Sequence, residues 1–255
     1  MQITTNDSFA SRRALIGRWC TIAGFVVLIV GMFVSLEQPP RADPHAIPLT
    51  LLAPWVTLFL GIILLNIGKY HSMRWGTNPR VDHALTRALK GLDHRYHLYN
   101  FVPDLPAEHV LVTPQGVIVF EPRPFMGEIT HEGSGWRRPI NPQGLLQRFA
   151  DGGLGNPTRE AQKDAEAMQS TLRERLGDDV GDSIMVFPMV VMTNPRVKLA
   201  LTNPDVPVVM IADIRGGIRQ MKDAHKISGD VQRQLDRALK WEPPQKAVST
   251  TRRNA

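Results

Sequence analysis

The protein has 255 residues, with 30 Lys and Arg against 24 Asp and Glu, and a formal net charge of +6. This length suits one domain of ordinary size with accessory segments. The single cysteine, Cys20, excludes a disulfide framework. The modest positive charge fits attraction to anionic lipid headgroups as well as to nucleic acid, so composition alone does not assign a function.

Two apolar runs dominate the first quarter of the chain. The first, residues 19–36, contains no charged residue, and its extension back to residue 14 crosses only one Arg. The second, residues 47–67, is also uncharged. A helix of about 20 apolar residues spans a bilayer core of about 30 Å. We therefore predict two transmembrane helices, 14–36 and 47–67, joined by a short external loop at 37–46.

Two other interpretations of the apolar runs remain open. The first run could belong to a cleaved signal peptide, because three arginines precede or open it. However, no A-x-A cleavage site follows it and a second run comes directly after. Both runs could also be buried core helices of a soluble protein.

The flanking charges predict the orientation of the two spans. Positive residues concentrate on the cytoplasmic side of a membrane protein. Here they lie before the first run and after the second: Arg12, Arg13, Arg18, Lys69, Arg74 and Arg80. We expect an integral, multi-pass protein of the cell membrane, with an N-terminal tail (1–13) and a C-terminal domain that are both cytoplasmic.

The remaining chain has the pattern of an α/β domain at residues 68–241, followed by a tail at 242–255 whose composition predicts disorder. Helical spacing of apolar residues predicts a helix within 79–98 and a longer one at 158–176. The near-continuous apolarity of 206–213 suits a strand buried on both faces of a sheet. The other strands are expected at 99–102, 109–112, 117–120, 127–130 and 183–193, and short closing helices at 214–221 and 229–241.

Residues 108–129 carry the strongest functional signal. Two β-branched runs, HVLV and VIVF, flank a turn at residues 114–116, so the unit reads as strand, turn, strand. Glu108 opens the first strand, and Glu121 closes the second, two residues before Arg123. Paired strands bring groups at their ends to one edge, so the pattern predicts acidic and basic side chains close together.

This pattern resembles the NERD (nuclease-related) domain, a branch of the PD-(D/E)xK restriction-endonuclease-like fold. The similarity spans roughly residues 80 to 215 and rests on the order and spacing of short matches. They are Asp82 before a helix, Glu108-His109 opening a strand, the turn Pro114-x-Gly116, Glu121-Pro122-Arg123 in place of Glu-x-Lys, Gly127, and Asn156-Pro157 with Gln162 on a later helix. The implied fold is a membrane-anchored α/β protein: two N-terminal transmembrane helices, then a restriction-endonuclease-like mixed sheet flanked by helices.

The resemblance also implies roles for individual residues. In an active nuclease Asp82, Glu108 and Glu121 would hold Mg²⁺ or another divalent metal. Glu121, Arg123 and Gln162 would be the catalytic set, with Gln162 orienting the attacking water and Arg123 stabilising the developing phosphate charge. In an inactive relative they would be remnants. Asp82 is equally well explained as a charge at a helix N-terminus, and Gln162 as an exposed helix-favouring residue.

Two departures from the family pattern predict impaired hydrolysis. Glu108 replaces Asp and displaces the carboxylate by one methylene, which matters because Mg²⁺ demands near-ideal octahedral geometry. Arg123 replaces Lys and remains protonated, so it binds phosphate well but serves poorly as a base. Pro122 and Pro124 each remove a backbone donor beside it, which suggests that the strand ends or lies at an edge here.

Three weaker signals complete the sequence. Arg137 and Arg138 would contact phosphate if the domain binds nucleic acid, although as solvated loop charges they need no function. His94 and His97 are spaced as a metal pair but lack a third ligand nearby, which favours surface histidines. The glycine-rich segment 151–156 lacks the Gly-Lys-Ser/Thr ending of a phosphate-binding loop.

Three functions therefore remain open. The first is a catalytically impaired nuclease-related domain that binds DNA, RNA or a protein partner. The second is an active metal-dependent nuclease, which a lysine close to Glu121 in space would favour. The nearest lysines in sequence are Lys90 and Lys163, and Lys163 is expected to point elsewhere. The third is a membrane-proximal assembly module without a nucleic-acid role.

Overall fold

The chain begins with a short strand and two long helices that pack against each other. They are β1 (Gln2–Thr5), α1 (Asp7–Leu36) and α2 (Leu49–Trp75). The computed structural model describes residues 1–36, 49–76, 80–132, 135–139, 153–221 and 226–241. The connecting loop at 37–46 and the tail at 242–255 lie outside these residues.

Glycines allow α1 and α2 to approach each other closely. A Cβ added at Gly24 of α1 would lie 2.9 Å from Cγ of Leu65, and one added at Gly68 of α2 would lie 2.3 Å from Oγ1 of Thr21. Both helices are long and apolar enough to cross a membrane, which makes them candidate spans. Only 11% of each apolar window is buried inside the described chain, whereas a core helix of a soluble protein is mostly buried.

The rest of the described chain forms an α/β domain built on two sheets. Its elements in order are α3 (Val81–Ala88), β2 (His97–Asn100), β3 (His109–Thr113), β4 (Gly116–Arg123), β5 (Gly127–Glu132), β6 (Gly135–Arg137), α4 (Pro157–Leu176), α5 (Asp178–Ser183), β7 (Val186–Met192), β8 (Val197–Leu201), β9 (Val208–Met210), a 3-10 turn (Ile211–Asp213), α6 (Ile214–Gln220) and α7 (Gly229–Ala238). The six-stranded sheet has the order β1-β2-β3-β4-β7-β9, and the three-stranded sheet has the order β6-β5-β8.

The six-stranded sheet is mixed and lies between two helical layers. β2, β3 and β4 are antiparallel to one another, whereas β4 runs parallel to β7 and β7 parallel to β9. Side chains alternate between the two faces of the hairpin. Val110 and Val119 pack against α4 and α7 on one face, and Leu111 and Ile118 pack against α3 and α6 on the other. The predicted mixed sheet flanked by helices is therefore confirmed.

The first residues, predicted as a tail, form a strand of this sheet. β1 pairs in parallel with β2, with Gln2 opposite His97. The ammonium group of Met1 donates to the carbonyl oxygen of Leu92 across 3.0 Å. His97, predicted as a solvated residue, lies in β2 with its side chain only 15% exposed, and its Nε2 is 2.9 Å from Oγ1 of Thr4.

The structure differs from the sequence prediction in element ends, in one strand and in burial. β2 ends at Asn100 rather than at residue 102, because Phe101 has a φ of 55°, which no strand accommodates. α3 ends at Ala88, and β8 was not predicted. β9 lies at the sheet edge and is only partly buried, whereas β7 lies between β4 and β9 and its residues 189–192 are fully buried. The strand that is buried on both faces is therefore β7 and not β9.

Candidate functional site

A cavity of about 340 Å³ lies where the end of α2 meets the ends of β3 and β4. Its charged lining residues come from two parts of the chain. α2 contributes Lys69 and Arg74, and the hairpin contributes Glu108, Glu121 and Arg123. The strand ends therefore meet as predicted, and the second apolar helix completes the wall.

Glu121 and Arg123 form the centre of this cavity. They are two apart at the end of β4, so both side chains emerge on one side of the strand. Nη2 of Arg123 lies 2.8 Å from Oε1 of Glu121 in an ion pair, and it donates a hydrogen bond to Oε2 of Glu160. Glu160 lies in the first turn of α4, so one guanidinium joins β4 to α4.

Glu108 is paired with Arg74 from α2. Nε of Arg74 donates to Oε2 of Glu108 across 2.9 Å. The pKa of Glu108 is nevertheless raised, because burial outweighs the favourable charge of Arg74.

Asp82 is paired in turn with Arg80. Nε and Nη2 of Arg80 donate to the two oxygens of Asp82 at 3.0 and 2.6 Å, and Nη2 also reaches Oδ1 of Asp7 at 2.6 Å. Burial opposes ionisation of Asp82, but the hydrogen bonds and charge of Arg80 prevail and lower its pKa. Because Asp7 opens α1, this cluster connects the first long helix to the domain.

Burial controls the ionisation of the central carboxylate. It raises the pKa of Glu121 to about 7, against the opposing charges of Arg123 and Arg74. Asp164 adds to this effect by repulsion, and the pKa of Asp164 is itself raised, mainly by burial. The site thus contains a carboxyl group that titrates near neutral pH.

His109 lines the cavity next to Glu108 and is almost fully buried. Its ring is 1% exposed, and its Nδ1 is 2.9 Å from Oδ1 of Asn100. Asn100 donates in turn to Oγ1 of Thr5 across 3.1 Å, so β1 takes part in this network. Burial lowers the pKa of His109 to about 3, which leaves the imidazole neutral at physiological pH.

Residues 78–193 match the family model described as nuclease-related domain, NERD. The chain contains a nuclease-related domain. The matched segment includes α3, the β3–β4 hairpin and α4, which carry or adjoin the acidic site residues, and it ends just after β7. No curated protein and no solved structure was found that matches the chain.

The donor set of the nuclease-related domain does not fit the metal centre that the resemblance implied. Within the described residues, one group of three His, Cys, Asp or Glu side chains has its ligand atoms within 4.8 Å of one another, and it is Asp7, Asp82 and His83. Arg80 already binds both oxygens of Asp82 there. Glu108 and Glu121 belong to no such group in the part of the chain that the structure describes.

The other predicted site residues lie apart from the cavity. Gln162 is half-buried on α4, and helical geometry places it on the opposite flank of the buried stripe from Glu160 and Asp164. Arg137 is exposed on β6. Arg138 is 3% exposed, and its Nη2 donates to the carbonyl oxygen of Met126 across 3.3 Å, so it is not the solvated loop charge that the sequence favoured.

Sequence reasoning missed four residues of the site: Lys69, Arg74, Glu160 and Asp164. The first two belong to the end of an apolar helix, where basic residues were read only as topology signals. Glu160 and Asp164 are spaced i, i+4 and flank the buried stripe of α4, so helical periodicity would have placed them on one side. Lys69 lines the same cavity as Glu121, which makes it a candidate for the lysine that the family pattern places beside this glutamate.

Proposed function

We propose that this protein is anchored in the membrane and that its nuclease-related domain is catalytically impaired and acts by binding. Catalytic impairment is supported by the pairing of every predicted metal-binding carboxylate with an arginine. Asp82 is paired with Arg80, Glu108 with Arg74, and Glu121 with Arg123.

The pairing opposes metal binding for an electrostatic reason. A guanidinium stays protonated at any physiological pH and occupies the carboxylate lone pairs that a cation would use. Displacing it would separate a partly buried ion pair, which costs less than the about 3–5 kcal/mol of a fully buried pair but still opposes the metal. The raised pKa of Glu121 adds to this opposition, because a protonated carboxyl group is a poor ligand for a divalent cation.

Membrane anchoring draws support from the long helices and from β1. The outward surfaces of α1 and α2 expose large apolar side chains, which water disfavours. β1 precedes α1 and pairs with β2, so both outer ends of the helical hairpin belong to one domain and must lie on one side of a membrane. Cleavage of α1 as a signal peptide would remove a strand of the sheet. The flanking arginines favour the cytoplasmic side.

A cleavage assay on the full-length protein in detergent or nanodiscs tests the proposal. Labelled single- and double-stranded DNA and RNA would be incubated with Mg²⁺ or Mn²⁺ and with wild type, Glu121→Ala or Arg123→Lys. We expect no metal-dependent cleavage by wild type. Cleavage that Glu121→Ala abolishes would refute catalytic impairment. The full chain is required, because a fragment that starts after α1 lacks β1.

The second candidate is an active metal-dependent nuclease, and the position of Lys69 favours it. This half-buried lysine lines the same cavity as Glu121, and the family pattern places a lysine on the strand two residues after that glutamate. If wild type cleaves nucleic acid, Lys69→Ala should abolish cleavage, whereas Lys226→Ala, at an exposed position outside the cavity, should not. Mg²⁺ or another divalent metal would then be the cofactor.

A further inference from the structure

One face of α2 forms a wall of the site cavity. The residues on this face are Asn66, Lys69, Tyr70, Met73 and Arg74, which are spaced as neighbours along one side of a helix. The opposite face of α2 packs on α1, since Gly61 lies against Leu28 and Gly68 against Thr21. The cavity therefore opens on the side of α2 that α1 does not cover.

The same face of α2 continues as an exposed apolar surface. Phe59 is 61% exposed, Ile62 44% and Ile63 54%. Helical geometry places these three in line with Asn66 and Met73. At a rise of about 1.5 Å per residue, Ile63 lies about 9 Å along the helix axis from Lys69. An apolar surface thus leads directly into a cavity with charged walls.

The charge of the cavity favours an anion. Three cations line it, Lys69, Arg74 and Arg123, against the carboxyl groups of Glu108 and Glu121, with which the two arginines are paired, so the lining has one net positive charge. Lys69 is also the first charged residue after the apolar run of α2, which places it at the depth of lipid headgroups if α2 spans a bilayer.

We propose that the cavity binds the phosphate headgroup of an anionic phospholipid from the surrounding leaflet, with an acyl chain lying along Phe59, Ile62 and Ile63. This inference rests on the membrane anchoring and binding role proposed above. Phosphate accepts charge-assisted hydrogen bonds from lysine and arginine, and the chain covers apolar surface that is otherwise exposed.

A nucleic acid fits the same cavity less well. Its volume, about 340 Å³, is at the small end of ligand pockets and suits a headgroup. Negatively charged lipids give the cytoplasmic surface a potential of about −30 mV, which repels a polyanion at this depth. A lipid reaches the cavity from within the leaflet and does not meet this barrier.

Native mass spectrometry of the full-length protein in detergent tests the proposal. The probes are phosphatidylglycerol and phosphatidylcholine with identical acyl chains, and glycerophosphoglycerol as the headgroup without chains. The variants are Lys69→Gln and Arg18→Gln. Arg18 is an exposed residue of α1 outside the cavity lining, so its substitution removes the same charge near the same end of the hairpin.

We expect wild type to retain phosphatidylglycerol in preference to phosphatidylcholine and to bind the chain-free headgroup weakly. Loss of a charge-assisted hydrogen bond should reduce this retention at least about tenfold in Lys69→Gln, with little change in Arg18→Gln. Equal losses in both variants would show general surface attraction and overturn the proposal. Equal retention of the two lipids would overturn it as well.

A second measurement does not depend on a variant that folds. Phosphatidylglycerol with a photoreactive acyl chain should cross-link to Phe59, Ile62 or Ile63 in preference to Phe25 and Phe33, which are exposed on α1. Equal labelling of both helices would contradict a defined acyl site. Displacement of bound lipid by a short oligonucleotide would identify the cavity as a nucleic-acid site instead.

The two proposals fail in different ways. Metal-dependent cleavage of nucleic acid would defeat catalytic impairment, whatever lipid is bound. Absence of lipid preference without any cleavage would defeat only the lipid site.

Discussion

Nε of Arg74, in the last turn of α2, donates to Oε2 of Glu108 across 2.9 Å. This bond joins the second apolar helix to the residue that precedes β3. The candidate anchor and the site are therefore parts of one structural unit, and a change in either residue is expected to affect both.

Arg74→Gln should destabilise the protein, because Glu108 would lose the charge that offsets its burial. We expect a loss of about 1 kcal/mol, at the low end of the cost of an unpaired acceptor, because water reaches part of both side chains. Glu108→Gln in the same chain should restore most of it, since two neutral amides replace the pair. Thermal unfolding in detergent measures both effects, and additive losses in the double variant would argue against coupling.

Glu121→Gln should change how stability depends on pH. Because burial raises the folded-state pKa of Glu121 to about 7 from its ordinary value of 4.5, the folded state binds more protons than the unfolded state between these values. Wild type should therefore lose stability as pH rises from about 5 to 8, by up to about 3 kcal/mol at 1.36 kcal/mol per pKa unit. The variant should lack this component of the loss. Parallel unfolding profiles for the two proteins would show that Glu121 does not titrate in this range.

Gly116→Ala should disrupt the hairpin that carries Glu108 and Glu121. Gly116 has a φ of 139°, and a Cβ there would lie 2.3 Å from the carbonyl oxygen of Met185. We expect a loss of more than about 1 kcal/mol, because the backbone must shift as well as adopt a strained conformation. Gly216→Ala is the matched control. Its added Cβ meets nothing within 4 Å in helix α6, so it should stabilise by up to about 1 kcal/mol.

The pairing of β1 with β2 predicts that Gln2 and Asp230 lie on one side of the membrane. Single cysteines at these exposed positions, in a Cys20→Ser background, should resist a membrane-impermeant maleimide in intact cells. A cysteine at position 43, in the predicted external loop, should react. Labelling at residue 2 with protection at residue 230 would be incompatible with a shared sheet.

Local patterns explain most of what the sequence predicted correctly. The β3–β4 hairpin follows from two β-branched runs around a Pro-x-Gly turn, and α4 follows from its apolar stripe. Asn156 caps α4 by accepting from the backbone N–H of Arg159 at 3.1 Å, as its place before Pro157 suggested. β1 was missed because QITT has no strong local pattern, and its partner strand lies more than 90 residues further along the chain.

By itself the sequence determined the two apolar helices, the main strands and helices, and the nuclease-related motif with its Lys-to-Arg and Asp-to-Glu changes. Only the tertiary structure decided how the charges pair. Arg74 and Glu108 are 34 residues apart, and Arg123 and Glu160 are 37 apart. Periodicity reports which side of its own helix or strand a residue occupies, whereas the docking of α2 and α4 on the sheet decides which charges meet. That docking placed Arg74 on Glu108 and Glu160 on Arg123, whereas Asp82 and Glu121 pair with arginines two residues away in the sequence.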